Sequence, residues 1–293
     1  MDIRKILDLE IKRAETGEIS GGYQIERNGE TVEYQSYMTN EKWEEFLDNM
    51  EPEAKSEYEN ADGGELSEKS GRPPKMASYG SSSRMIYNLS RNIEDFHFEK
   101  QLHTAVGGRA NIDGFAERPE RYIFVEAKCR EPYSKPLFDT VSGAYRELYE
   151  YINENMGGSL ICEMSEHPSR VGYMNVQYLV DGEALRYFDM KQIICHFLGI
   201  AAALLNGELS NKQIDFIYLL YDPTELDCGD RIKDIYGQLC GEIVGADMSL
   251  LFVTVLRFLR DLGVGELDDC EIDAYLYKLT FTLCNQDFYP ELV

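Results

Sequence analysis

The chain has 293 residues, 43% of them hydrophobic and 12% aromatic, with 53 acids against 29 bases and a formal net charge of −24. That length and apolar content exclude a disordered chain and suit one large or two modest domains around a sizeable core. The charge excludes a surface that grips nucleic acid everywhere, because displacing counterions from phosphates takes a basic stripe, and it moves attention to how the charge is distributed.

The opening residues, Met1-Asp2-Ile3-Arg4-Lys5, lack an apolar signal core, so a cytoplasmic protein is expected. A helix is predicted over Ile3 to Ala14, with Ile3, Ile6, Leu7 and Ile11 on one face, ended by Gly17 and Gly21-Gly22. Tyr23 to Arg27 and Thr31 to Tyr34 flank Asn28-Gly29, a strong hairpin signal. Thr39 or Asn40 then caps an acidic helix carrying Trp43, Phe46, Leu47 and Met50. Residues 41 to 69 hold eleven acids, among them Glu57, Asp62 and Glu65, against Lys42, Lys55 and Lys69, so part of the acidic load lies outside the candidate site, and the run near residues 41 to 59 reads as a solvated helix face. Residues 60 to 83, poor in large apolar groups, read as a mobile loop. Ser81-Ser82-Ser83 supply an N-cap for a helix Arg84 to Arg91.

Three strand-like runs follow: Phe96 to His103, Arg109 to Glu117 and Arg121 to Cys129, with Gly107-Gly108 and a proline-containing polar turn between them. Further helices are predicted over Thr140 to Asn155 and Met190 to Leu205, separated by a mixed region. Next come an interior strand Ile214 to Tyr221, a helix or helix pair Arg231 to Leu262, and an apolar tail. The longest apolar run, Ile193 to Leu205, is broken by His196 and Gly199, so no membrane span is expected. Cys129, Cys162, Cys195, Cys228, Cys240, Cys270 and Cys284 form no CxxC pair, which argues for core thiols in a reducing compartment. The order of elements describes an α/β fold with a mixed central sheet flanked by helices.

The chemistry concentrates in Asn111-Ile112-Asp113-Gly114-Phe115 and Val125-Glu126-Ala127-Lys128. Tyr122 to Val125 is a buried-strand run, and period-2 alternation places Glu126 and Lys128 on one face. An antiparallel hairpin then points Asp113 and Glu126 to the same side. Residues 72 to 135 are mildly basic, with eleven bases against eight acids. Hydrolysis of a phosphodiester needs a charge clamp, an activated water and help for the leaving oxygen. A hard divalent cation on one or two carboxylates contributes to all three. Asp113 and Glu126 fit that count, the backbone carbonyl of Ala127 adds an oxygen ligand, and Lys128, kept protonated by both acids, positions water and offsets phosphate charge.

Asp113 followed by Glu126-Ala127-Lys128 at the close of a hydrophobic strand resembles the PD-(D/E)XK nuclease superfamily, the restriction-endonuclease-like fold. The surrounding Phe98-Glu99-Lys100 and Glu131-Pro132-Tyr133 are similar to an uncharacterised bacterial branch described as restriction endonucleases. Ile112 stands where the superfamily signature has proline. The resemblance covers residues 78 to 222 and implies a nuclease-like core over 76–225, an acidic N-terminal extension and loop over 1–75, and a helical part over 226–293 packed on the core. It implies Mg²⁺, with Mn²⁺ as a substitute, a nucleic-acid partner expected to be DNA, and leaves a homodimer open.

Family members often add an acid from the first core helix. The helix 84 to 91 contains none, so Glu99 on the first strand takes that role, with Glu94 as its rival. A helical glutamine near the site corresponds to Gln192, with His196 one turn along. Tyr133, Ser134 and Lys135 are expected to touch substrate. The alternative is a catalytically silent protein of the same fold, an acidic interaction partner or nucleic-acid mimic. Net charge favours that alternative, and the intact set of two acids and a lysine favours the nuclease.

Overall fold

The computed structural model describes residues 2–61, 64–134, 137–287, 289 and 293. Asp2 caps α1 (Ile3–Thr16) by accepting from the Arg4 N–H, and α1 buries Leu7 and Ile11. The hairpin of β1 (Tyr23–Arg27) and β2 (Glu30–Tyr34) turns at Asn28-Gly29. Thr39 caps α2 (Asn40–Asp48). A second helix, α3 (Pro52–Asn60), follows where the acidic sequence hides it, because only Ala54 and Tyr58 carry its buried face.

The expected loop over 60–83 is more than a surface connection. Glu65, Met76, Ala77, Ser78 and Tyr79 are buried, and Lys75–Ala77 form a short 3₁₀ turn. Asp62 lies outside the described residues. Ser81 caps α4 (Ser82–Ser90), which leads into β3 (Phe96–His103), β4 (Arg109–Glu117) and β5 (Arg121–Lys128).

The helix expected from Thr140 starts later. Asp139–Ser142 is instead β6, and α5 runs over Arg146–Met156. β7 (Ile161–Glu166), β8 (Tyr173–Val180) and the short β9 (Glu183–Ala184) complete a small antiparallel sheet in which β8 pairs with β6, β7 and β9. Beyond α6 (Met190–Leu205) come β10 (Gln213–Leu220), α7 (Asp230–Val244), α8 (Met248–Asp261), the short α9 (Asp269–Asp273) and α10 (Tyr275–Lys278), and β11 (Leu279–Asn285). Residues 226–293 are thus not purely helical, since β11 belongs to the main sheet.

That five-stranded sheet has the order β11-β10-β5-β4-β3. β3, β4 and β5 form an antiparallel meander, while β10 is parallel to both β5 and β11, so the sheet is mixed. β5 is interior and buried along nearly its whole length, which is why it reads as a continuous apolar run. One face of the sheet packs against α5, α6 and α8 through Ile112, Phe124, Phe216, Phe197 and Phe252. The other face packs against α1 and α4 through Ile123, Val125, Leu7, Ile11 and Ile86, so the N-terminal residues share a core with the central strands.

Apart from Lys191, Gln192 and Cys195, every residue of α6 is buried, as expected of a helix that is apolar all round. Its approach to the sheet is set by Gly199, where an added Cβ would stand 2.8 Å from Cβ of Ala110 and 3.0 Å from Cβ of Leu102. Among the described residues no single helix is long and apolar enough to cross a membrane; α7 and α8 reach that length only as a pair bent by 56°.

Candidate active site

Glu126 and Lys128 leave β5 on the side facing α6. Glu126 is fully buried at 0% exposure, and Lys128 is nearly so at 8%. A carboxylate is tolerated there only when paired. The Lys128 ammonium contacts Glu126 Oε1, and His196 donates from Nε2 to Glu126 Oε2 across 2.7 Å. Lys128 also donates to Gln192 Oε1 at 2.7 Å. Gln192 and His196 lie four residues apart on α6, so one helical face presents both to the strand.

Burial pushes Glu126 upward, but Lys128 and His196 outweigh it and hold the acid below its ordinary value. Burial pushes Lys128 down, and Glu126, Tyr218 and Asp113 more than reverse this, so the lysine stays protonated. It therefore acts as a fixed cation, not as a base. Tyr218 pairs in register with Glu126 from β10, and its buried hydroxyl has no hydrogen-bond partner among the described residues. His196 Nδ1 is likewise buried and unpartnered.

Asp113 reaches this group by an irregularity. The β4–β5 ladder runs from Glu117↔Tyr122 to Gly114↔Val125, and beyond it the Ala127 N–H donates instead to Asp113 Oδ2 at 2.8 Å. The carboxylate takes the place of a backbone carbonyl, and β4 separates from β5 beside Glu126-Ala127-Lys128. Asp113 keeps partial solvent access. Its pKa is nonetheless driven well up, first by burial and then by Glu126, with Lys128 and the Ala127 amide opposing.

The same irregularity crosses to β3. Side-chain alternation breaks in both strands at one level: Ala110 and Ile112 face α6, whereas Ala116 faces α4. On β3, Leu102 faces the first layer and Phe98 the second. Pairs Phe98↔Gly114 and Lys100↔Ile112 flank the break, and the residues between them are Glu99 and Asp113. Glu99 has φ +54°, a left-handed conformation that costs a non-glycine residue on the order of 1 kcal/mol. Strict alternation, which would put His97, Glu99 and Gln101 on one face, fails at this point. Gly114 is required next to the break, since a Cβ there would lie 2.4 Å from the Phe96 ring and 2.7 Å from Ile86.

Glu99 is half-buried and lines an open cleft of about 470 Å³ with Glu57, His97 and Lys100. Its pKa is raised to about 7, by burial first, then by Glu65 and Glu126. Glu65, from the acidic stretch expected to lie in part outside the site, thus acts on Glu99 through charge. It is buried, accepts from Ser83 Oγ at 3.1 Å, and pairs with Lys75 at 2.7 Å. No periodic pattern marks it, because it comes from irregular chain folded inward. His97 pairs with Glu57 at 2.8 Å. The rival acid, Glu94, is exposed on the turn before β3.

Tyr133 does not reach the site as a substrate contact. Its ring is buried in the core layer of α1 and α4, and burial raises its pKa strongly. Lys135 lies outside the described residues, as does the Ser134 side chain. Asp113, Glu126, Lys128 and Gln192 are joined by direct contacts or charge coupling, Glu99 joins through charge, and His196 is the partner that spacing alone underrated.

The donor chemistry of this group suits a hard cation: Glu99, Asp113 and Glu126 are coupled by charge, and the first two are raised by burial first and then by their fellow carboxylates. Among the described residues, no three His, Cys, Asp or Glu side chains stand close enough as placed to hold a metal ion. No protein-family model, curated protein or solved structure matches the chain.

Proposed function

We propose that this chain hydrolyses phosphodiester bonds of nucleic acid, with DNA the expected substrate, on a restriction-endonuclease-like core and in a cytoplasmic setting. The observation that carries the reading is the hydrogen bond from the Ala127 amide to Asp113, which ties the isolated acid to the middle of Glu126-Ala127-Lys128. A structural sheet has no need to separate two strands and insert a carboxylate between them.

Asp113, Glu126 and the carbonyl of Ala127 are the groups that would hold Mg²⁺ or Mn²⁺. Such an ion lowers the pKa of bound water and offsets charge on phosphate. Lys128, permanently protonated, stabilises negative charge developing on the scissile group. Gln192 fixes the ammonium by accepting a hydrogen bond from it, and His196 fixes the Glu126 carboxylate from the opposite oxygen. Glu99, near neutrality at physiological pH, is suited to exchange a proton with water entering from its cleft.

One observation favours a catalytically silent interaction protein: both oxygens of the fully buried Glu126 already have side-chain partners, Lys128 and His196. Plasmid nicking separates the readings. The nuclease is expected to nick with Mg²⁺ or Mn²⁺, to stop with chelator, and to fail as Lys128→Ala or Asp113→Asn. Folded wild-type protein that never nicks nucleic acid, DNA or RNA, with either ion sinks the proposal.

A further inference from the structure

Within a chain of net charge −24, one cleft is basic. It measures about 640 Å³ and is lined by Arg27 at the end of β1, by Lys69, Arg72 and Lys75, and by Arg130, while its other described lining residues carry no charge. Two of these cations are already paired, Lys75 with Glu65 at 2.7 Å and Arg130 with Asp8. Arg27, Lys69 and Arg72 are exposed and have no acidic partner among the described residues. Carboxylates outnumber bases almost twofold here, so three unpaired cations converging on one concavity are the opposite of what random placement produces. A concave wall also focuses their potential.

Tyr37 stands on the wall of the cleft, half-buried and edge-on to Tyr34 with ring centroids 5.8 Å apart. Cations that follow a backbone, with an aromatic ring beside them, are the equipment of single-strand binding. Two links tie the cleft to the acids. Arg130 lies two residues past Lys128, a backbone span of at most about 7 Å. Lys75 holds Glu65, which in turn acts on Glu99.

We infer that this cleft holds the phosphate backbone of a nucleic-acid strand and delivers it to the acid cluster. Delivery rests on the hydrolytic reading above; affinity for the strand does not.

The test is fluorescence anisotropy with a short fluorescein-labelled single-stranded DNA in chelator, over a salt series, using the full chain. Wild type is expected to bind. Arg27→Gln/Lys69→Gln/Arg72→Gln, confined to exposed side chains and checked for folding by circular dichroism, is expected to bind at least about tenfold more weakly, with the slope of log K against log salt flatter by about 2. Absence of wild-type binding, an unchanged affinity and slope in the triple variant, or retention of inorganic phosphate alone would each overturn the inference. Binding through the cleft without cleavage in Mg²⁺ leaves the cleft standing and removes the nuclease; cleavage with an unaltered triple variant does the reverse.

Discussion

His196 donates from Nε2 to the Glu126 carboxylate across 2.7 Å, joining the buried helix α6 to the strand that carries Glu126-Ala127-Lys128. With Lys128 on the other oxygen, the acid is clamped from two elements. Removing one side of such a clamp leaves charge buried without compensation, so Lys128→Met is expected to lower the unfolding free energy by about 3–5 kcal/mol. Urea denaturation checks this, and a loss under about 1 kcal/mol would mean that the pair is far more hydrated than its burial indicates.

Gly199 lets α6 lie directly on β3 and β4. In Gly199→Ala the new Cβ meets Cβ of Ala110 at 2.8 Å, and neither atom is the end of a flexible chain. Overpacking of this kind costs about 1–3 kcal/mol. Because the same helix positions Gln192 and His196, nicking is expected to fall more than stability does. Full activity in a measurably destabilised Gly199→Ala would show that the helix position is not critical.

Glu99 has a pKa of about 7, above its ordinary 4.5. Between those values the folded protein binds more protons at this site than the unfolded chain, so stability falls as pH rises across the window. The contribution is on the order of 3 kcal/mol. Asp8, raised to about 6, adds the same sign in the lower part. Glu126, held low, acts with the opposite sign but below about pH 4.5, outside the window. Melting temperatures from pH 4.5 to 8 should therefore decline in wild type and decline less in Glu99→Gln. Glu65→Gln should shift the decline to lower pH, and identical profiles in all three proteins would show that Glu99 is not the titrating group.

A divalent cation binding the deprotonated acids is expected to raise the melting temperature, and more at pH 8 than at pH 5.5, since protons compete for Glu99 and Asp113. At a hundredfold excess over Kd the shift is roughly 4 °C. Asp113→Asn should abolish it. A shift that is equal at the two pH values would place the ion elsewhere.

Much of this was legible in the sequence, and unevenly so. β3, β4 and β5 stand where alternation and the Gly107-Gly108 and proline turns put them, and α6 matches its apolar run. β11 was hidden, because Leu279-Thr280-Phe281 pairs in parallel with a strand far away in sequence, and no local turn announces it. β6 to β9 were hidden by polar residues on the exposed face of a small sheet, and α3 by its two-residue apolar face. Within the site, Asp113, Glu126 and Lys128 were visible by type and spacing, and Gln192 only through the family resemblance. Glu65 was not, and the break at Glu99 depends on a left-handed backbone that an ordinary glutamate does not advertise.

The pairing of Ile214 with Leu279 has a consequence for biosynthesis. The strand bearing Glu126 and Lys128 leaves the ribosome early, and its parallel neighbour β10 soon after. At elongation rates of about 5–20 residues per second, roughly 3–13 s then pass before the last strand of the sheet emerges. Throughout that interval a nascent chain displays the open edge of a very apolar strand. Chaperone capture during translation, and not spontaneous collapse alone, is therefore the expected route by which the sheet is completed.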